Sequence, residues 1–430
     1  LYQIIRPFAK LTFLVNYRKI YLSNAEVIPW DKPTVFATNH PSAFLEPCLL
    51  ACFLPKPLYF LVRGDIWENK FYNALMRGVH LIPVYRLRDG YSNLSKNYET
   101  FEICYHSLAK HQPILVFPEA STKQVKRLRP VKKGVAKICF GAMEATPGLD
   151  LYIVPAGINF TYADQVRSEV MIRFGEPIRM QDYWEQYQAN PARTYVQIAQ
   201  ELDKRLRPHM VIIEREEDED LAEKLLSLGR ERSSGGRFPI FSTKDDRLKM
   251  EIAIVNWVNG LPEGEKVELQ RQVDAYFKKL NVYKLSPQIR AAGQPTLLKK
   301  LILFSGFVPY LIGKIFFYPP IKLAFSVANK RVRQLEFYIS VFAGVVIVIT
   351  PIWFMLMLLL ALLSGNWWVV LFVAIMPLLG YFSLVYKEEN DRVEELRNFN
   401  DLPGFEKKEI LRLRQSLLDR MHFLLEKNLT

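Results

Sequence analysis

Histidine and cysteine are both scarce in this sequence, with six and four copies among 430 residues. The cysteines, at Cys48, Cys52, Cys104 and Cys139, lack the close paired spacing of a zinc site, so no bound metal is expected. Cys48 and Cys52 lie four apart, which on a helix is one face, and all four read as core packing in a reduced, cytosol-facing domain. Zinc-finger and RNA-binding signatures are absent. No stretch interleaves basic residues with stacking aromatics, which argues against a nucleic-acid partner. There is no internal repeat. Leu1–Tyr17 does not read as a signal peptide, because Arg6, Lys10 and Asn16 break it and no small-residue cleavage site follows.

What is abundant is apolar: hydrophobic residues make up 50% of the chain and aromatics 13%. The length suggests two or three units at about 100–200 residues each. The formal charge of +13 suits anionic lipid headgroups or phosphorylated substrates. Strong apolar segments near the C-terminus select membrane and lipid from that choice.

Along the chain, residues 1–26 form an N-terminal amphipathic segment. Ile4, Ile5, Phe8, Leu11, Leu14 and Val15 recur there at helical spacing, as in an interfacial helix or a plain core helix. Residues 27–180 read as an α/β domain. Thr34–Thr38, Tyr59–Val62, Ile114–Phe117, Tyr152–Ile158 and Val170–Phe174 are expected strands. Pro41–Phe53, Asn69–Met76, Asn93–Lys110 and Gly134–Glu144 are expected helices. Such alternation predicts helices around a mainly parallel, mixed sheet. Residues 181–296 are polar and helical. Residues 297–329 are apolar but punctuated by Lys299, Lys300, Lys314 and Lys322 and interrupted at Pro319–Pro320. That pattern suits a segment lying in the membrane interface, or a buried helical pair, more than a standard span. Phe337–Leu363 and Trp367–Tyr386 are free of charged residues and long enough to cross a bilayer, so residues 337–386 predict a two-helix transmembrane hairpin. Lys330, Arg331 and Arg333 before it, with Lys387 and Arg392 after it, place both flanks in the cytoplasm. The expected localisation is a multi-pass membrane protein with its α/β domain on the cytoplasmic face. Residues 387–430 form an amphipathic helical tail, with Ile410, Leu413, Leu417, Met421 and Leu424 on one stripe.

Four stretches carry chemistry. In Thr38–Glu46, His40 follows an expected strand, and the Glu46 carboxylate stands about one and a half helical turns later. Such a pair can hold an imidazole in orientation while its other nitrogen takes a proton from an alcohol. Alone, His40 could equally be a satisfied polar residue. Gly78–Arg86 is a short apolar strand that ends in an arginine able to clamp a phosphate, or simply to face solvent. In Val116–Thr122 a buried strand runs into Glu119, Ser121 and Thr122, which can bind hydroxyls or phosphate oxygens or merely cap a loop. A basic tract from Lys123 to Lys133 follows. Ile153–Gly157, with Pro155, is structural on its face.

In order and spacing these four blocks resemble the glycerolipid acyltransferase family, which includes glycerol-3-phosphate and 1-acylglycerol-3-phosphate O-acyltransferases. The resemblance covers about Leu1–Ile178. It rests on Asn39–His40 with Glu46 after five intervening residues, Gly78–Arg86 with its Ile-Pro-Val, Phe117-Pro118-Glu119 with Ser121 and Thr122, Val154–Pro155, and Phe174–Pro177. The five-residue spacing is similar to that of a branch of the family. Two departures stand out: Glu46 replaces the usual Asp, and Ala120 the usual Gly. The resemblance implies an acyltransferase domain followed by the helical region and the hairpin. It implies His40 as the base and Glu46 as its orienting partner. Arg86, with Lys133, would hold the acceptor phosphate. Glu119 with Ser121 or Thr122 would position the glycerol, Gly78 would open the second block, and Pro155 would shape the acyl-facing wall.

By the same resemblance the acyl donor is an acyl-CoA or acyl carrier protein thioester, attacked directly by the acceptor hydroxyl with no cofactor. The partners are then that donor, a glycerol phosphate acceptor and membrane lipids. Two alternatives differ from glycerol-3-phosphate acylation. One is a lysophospholipid acceptor such as 1-acylglycerol-3-phosphate. The other is a catalytically dead, membrane-tethered lipid-binding scaffold, with Glu46 and Ala120 as its marks.

Overall fold

The computed structural model describes residues 1–64, 70–85, 97–230, 238–287, 289, 297–332 and 335–427. They divide into two compact units. The first comprises Leu1–Ile212, Arg237–Leu248 and Val332–Ala343, and the second comprises Ile213–Gly236, Lys249–Arg331 and Gly344–Thr430.

The first unit is built on one mixed sheet. Its strands are β1 (Lys19–Ser23), β2 (Thr34–Thr38), β3 (Tyr59–Arg63), β4 (Leu81–Val84), β5 (Ile114–Val116), β6 (Tyr152–Phe160), β7 (Glu169–Phe174), β8 (Ile178–Arg179) and β9 (Phe241–Ser242). Their order is β4-β3-β5-β2-β6-β7-β1-β9, with β8 beside β6. Pairing is parallel except where β6 meets β7 and β8. The central strand β2 is buried at every position, as expected for a strand covered on both faces. Its odd residues Val35 and Ala37 join Ile114, Val116 and Ile153 in a core closed by α4 (Asn97–Ala109), α5 (Gly134–Ala145) and α7 (Pro191–Leu206), through Cys104, Leu108, Ile138, Phe140, Ile198 and Leu202. Phe36 points to the other face, where its ring meets Phe174 edge-on at 6.0 Å. There α1 (Tyr2–Asn16) packs along α2 (Leu45–Phe53), with Tyr2 Oη donating to the Ala51 carbonyl at 3.2 Å. The remaining helices of this unit are α3 (Lys70–Gly78) and α6 (Trp184–Ala189). All four cysteines are free, and burial pushes the Cys104 and Cys52 thiols up to about 12.

The sheet is wider than the sequence suggested. It reaches back to β1, before Val27, and takes in the short β9 from beyond the α/β stretch. In β1 only Ile20 and Leu22 carry the two-residue alternation, too short a signal to separate it from the helix before it. The second difference is decisive for the site. The expected helix at Pro41 starts only at Leu45, because Ala43 adopts φ +36° and turns the chain.

The second unit is helical: α8 (Glu219–Gly229), α9 (Asp246–Gly260, which begins in the first unit), α10 (Glu263–Tyr283), α11 (Leu297–Arg331), α12 (Leu335–Leu363, likewise begun in the first), α13 (Trp367–Ala374), α14 (Met376–Asn400) and α15 (Gly404–Lys427). Buried ion pairs Arg230–Glu251 at 2.9 Å and Lys266–Asp218 at 2.6 Å tie its polar helices together. Ile410, Leu417 and Met421 of the expected α15 stripe are buried.

The two expected apolar helices are present, and a third joins them. Three segments, Leu301–Arg331, Phe337–Leu363 and Trp367–Asn400, are long and apolar enough to cross a membrane by length and composition. The stretch read as an interfacial segment is thus one continuous helix running through Pro309, Pro319 and Pro320. Contacts invisible in sequence explain it. Gly313 lets α11 approach α14 so closely that a Cβ there would lie 2.3 Å from the Leu379 carbonyl oxygen. Ser383 Oγ lies between the Leu379 carbonyl of its own helix at 2.8 Å and the Tyr310 carbonyl of α11 at 2.9 Å, sharing its one proton, and Tyr386 Oη donates to the Leu303 carbonyl at 2.9 Å. Small residues and interhelical hydrogen bonds of this kind hold helices together where water supplies no driving force. The other expected span, Trp367–Tyr386, is interrupted at Ile375, and α14 restarts with Pro377 in its first turn.

Candidate active site

The site grows from the C-terminal ends of the neighbouring parallel strands β2 and β5, the usual place for ligand groups in open α/β sheets. After β2 ends at Thr38, the Asn39 side chain continues the pairing in place of the backbone. Its Nδ2 donates to the Ile158 carbonyl at 2.8 Å, and its Oδ1 accepts from the Ile158 N–H at 2.7 Å. This clamp to β6 fixes the chain where it delivers His40, which gives the Asn of the Asn–His pair a physical reason.

The His40 ring stacks on Phe117, the residue after β5, with centroids 3.8 Å apart and planes within 16°. Its Nδ1 lies 3.7 Å from Glu46 Oε2. Both atoms are buried and have no hydrogen-bond partner, and the Glu46 side chain is wholly enclosed. The other carboxylate oxygen, Oε1, accepts from the Ser42 N–H in a short hydrogen bond. Glu46 sits in the first turn of α2 and reaches back over the turn that precedes it, in the manner of a capping carboxylate. The longer spacing between His40 and its acid is taken up by that turn.

Glu119 is a hub beneath the pair. It is buried, with Oε2 accepting from the His40 N–H at 3.1 Å and Oε1 from the Arg129 N–H at 3.0 Å. Arg129 adds an ion pair to Oε2 at 2.5 Å, then reaches Ser121, donating from Nη1 to Oγ at 2.7 Å and from Nη2 to the carbonyl at 2.5 Å. In the sequence the basic tract Lys123–Lys133 is legible only as a whole, and Arg129 does not stand out within it. It lies ten positions after Glu119, and no period or motif marks it. Ala120, between Glu119 and Ser121, has φ +56°, the left-handed conformation that favours glycine.

His40, Glu46, Glu119 and Ser121 are therefore brought together, with Thr122 half-exposed beside them in the chain. Lys133 is exposed and stands at the N-terminus of α5. Gly78 ends α3 against Leu1, and Pro155 is buried in β6 opposite Ala37, its carbonyl accepting from Gly175 N–H at 2.8 Å. Arg86 lies outside the described residues. Its neighbour Tyr85 is held from both sides by Asn97, whose Oδ1 accepts from Tyr85 N–H at 2.9 Å while its Nδ2 donates to the Tyr85 carbonyl at 2.7 Å. Between α3 and β4, His80 has φ +63° and is sandwiched by Tyr2 and Tyr59 at 4.6 and 4.5 Å. Among the described residues, no group of three or more His, Cys, Asp or Glu side chains is arranged to hold a metal ion.

The mixed α/β sheet thus presents a buried His–carboxylate pair beside a strand-end Phe-Pro-Glu. Residues 19–159 match the family model described as Acyltransferase. It is similar to glycerol-3-phosphate O-acyltransferase 2 of Saccharomyces cerevisiae, 29% identical over 27% of this chain and 16% of that protein. It is also similar to glycerol-3-phosphate O-acyltransferase 1 of the same yeast, 34% identical over 18% of this chain and 10% of that protein. An uncharacterized acyltransferase of Schizosaccharomyces pombe is 30% identical over 21% of this chain and 14% of its own length. The chain thus matches only a small part of the length of these relatives. Among solved structures, the 1-acyl-sn-glycerophosphate acyltransferase PlsC of Thermotoga maritima covers 47% of this chain and 78% of its own, at 16% identity and a TM-score of 0.33.

Proposed function

We propose that this protein transfers a fatty acyl group from a thioester, acyl-CoA or acyl carrier protein, to a hydroxyl of glycerol-3-phosphate. The observation that carries the reading is the enclosed pair of His40 Nδ1 and Glu46 Oε2, 3.7 Å apart with no other partner for either atom. A carboxylate on Nδ1 leaves Nε2, across the ring, as the proton acceptor. The acceptor hydroxyl gives its proton to Nε2, its oxygen bonds to the thioester carbonyl carbon, and the C–S bond breaks. The imidazolium then returns the proton to the leaving thiolate. Glu46 stabilises the imidazolium between these steps. Catalytic hydrogen bonds tighten when substrate binds, so 3.7 Å is compatible with this role.

General-base catalysis supplies about 10²–10⁴-fold, so positioning must supply much of the rest. Glu119 and Arg129 provide part of it by fixing the His40 backbone. Arg86 and Lys133 are the proposed ligands of the acceptor phosphate, with Ser121 or Thr122 toward the glycerol and Pro155 toward the acyl chain. The two named yeast relatives favour glycerol-3-phosphate over a lysophospholipid as acceptor. The apolar helices would hold the enzyme where acyl chains and lipid products reside, with the α/β domain on the cytoplasmic side. The test is purified protein with labelled acyl-CoA and three acceptors: glycerol-3-phosphate, dihydroxyacetone phosphate and lysophosphatidate. Labelled lysophosphatidate from glycerol-3-phosphate, abolished in His40→Ala, is expected. No transfer to any acceptor would turn the reading toward a lipid-binding scaffold.

A further inference from the structure

The turn between His40 and Glu46 is anchored by a residue about three hundred positions away. Ser340 lies in the second turn of α12 and belongs to the same compact unit as the turn. Its side chain is buried. Its Oγ donates to the Ser42 carbonyl at 2.9 Å and accepts from the Phe44 N–H at 3.2 Å. One hydroxyl thus reaches a backbone acceptor and a backbone donor on either side of Ala43, adding to the bonds that the Ser42 carbonyl accepts from the Phe44 and Leu45 N–H groups within the turn.

Ala43 is the residue that needs this support. Its φ of +36° lies in the left-handed region, where a Cβ is disfavoured. Such a conformation persists only where the surroundings over-determine it. The same turn sets the acid. Ser42, whose carbonyl Ser340 holds, donates its N–H to Glu46 Oε1, and that bond aims Oε2 at His40 Nδ1. The connection runs from Ser340 to the Ser42–Phe44 turn, to the Glu46 carboxylate, to the His40 ring. Ser340, Ser42 and Glu46 along this path are all buried.

We propose that Ser340 is a positioning residue for the His40–Glu46 pair, holding the strained turn at Ala43 so that Glu46 Oε2 faces the imidazole. The inference rests on the acyl-transfer reading above. The Ser340 hydroxyl meets the Ser42 carbonyl and the Phe44 N–H, so its proposed action runs through the turn. The helix that carries it is long and apolar enough to enter a bilayer, so the turn is fastened to the first part of a candidate membrane span.

The experiment compares Ser340→Thr with Ser340→Val in the full-length chain. The two side chains have nearly the same shape, and only Thr keeps a hydroxyl. Ser340→Val is expected to lower kcat about 10- to 100-fold, the scale of a small misplacement of catalytic groups, with KM for both substrates within about twofold of wild type. Ser340→Thr is expected to retain most of the activity. A second measurement separates positioning from folding. In a Glu46→Gln background, Ser340→Val should add less than about threefold, because the group it aims has already been disabled. Equal kcat for the Thr and Val variants overturns the proposal, and so does a loss that multiplies in full with Glu46→Gln. If wild type transfers no acyl group at all, the functional reading falls, and the positioning role with it. If wild type is active and Ser340→Val matches it, only the positioning role falls.

Discussion

His40 Nδ1 and Glu46 Oε2 face each other at 3.7 Å in a closed environment, each lacking any other hydrogen-bond partner. The turn at Ala43 sets the distance between the imidazole and the glutamate carboxylate. The first prediction follows. Glu46→Gln keeps the shape and removes the charge, so the imidazolium formed during attack loses its counter-ion. Its kcat should fall by about two orders of magnitude or more. Glu46→Asp keeps the charge on a shorter arm and should fall less. Steady-state rates with labelled acyl-CoA decide it, and near wild-type turnover by Glu46→Gln would remove the dyad.

Much of this pair could be read from the sequence, because the blocks are local. His40 follows a buried apolar strand, and Phe117–Glu119 follows another. The parallel pairing that joins them is implied by strand–helix alternation. What could not be read is tertiary. Arg129 meets Glu119 through loop geometry, Ser340 meets Ser42 across most of the chain, and β1 carries too short an alternation to announce itself. The lysines of α11 suggested a segment lying on the membrane. Gly313 and Ser383 instead allow a close helix–helix approach, a property of two faces that no single face displays.

Arg129 supplies the second prediction. It is the ion-pair partner of a buried carboxylate that also holds the His40 N–H. Removing one member of such a pair leaves an uncompensated charge, and the cost reaches about 3–5 kcal/mol when both are fully buried. Arg129 keeps some solvent contact, so Arg129→Ala should cost about 1–3 kcal/mol. Thermal or denaturant unfolding in detergent should register this, together with a lower kcat. Arg129→Lys should recover only part, since a lysine cannot bridge Glu119 and Ser121 with a planar fork.

Ala120 supplies the third. At φ +56° the methyl group is a strain that glycine would not feel. Ala120→Gly should therefore be neutral or stabilising by up to about 1 kcal/mol, even though glycine is also freer in the unfolded chain. A β-branched Ala120→Val should be clearly destabilised. Unfolding midpoints measure both, and a destabilised glycine variant would show that this conformation carries no strain.

Membrane topology supplies the fourth. Phe337–Leu363 and Trp367–Asn400 are separated by a short turn, so a hairpin returns the chain to the side from which it came. Single cysteines at Lys330 and Lys387, in a background with the four native cysteines replaced, should label from the same side of sealed vesicles, the cytoplasmic one. Labelling from opposite sides would mean that one of the two segments does not cross.

The last prediction concerns pH. His209 is wedged against the sheet where Gly157 and Gly175 leave room for it. A Cβ at Gly175 would lie 2.4 Å from its Nε2, and its carbonyl accepts from Asn159 Nδ2 at 2.9 Å. Burial, with the nearby Arg173 guanidinium adding to it, lowers its pKa from the usual 6.5 to about 4. Between those two values the unfolded chain binds a proton that the folded chain refuses. Stability therefore rises with pH across this window, is fully present above about pH 6.5, and is lost as pH falls toward about 4. The slope from one proton is bounded by about 1.4 kcal/mol per pH unit, and partial exposure of the ring lowers it. Carboxylates titrate in the same region, so the informative quantity is the difference between wild type and His209→Gln, which cannot gain the proton. Denaturant midpoints from pH 4 to pH 7.5 should show the variant losing less stability on acidification than wild type. Parallel curves would mean that His209 accepts its proton as readily folded as unfolded.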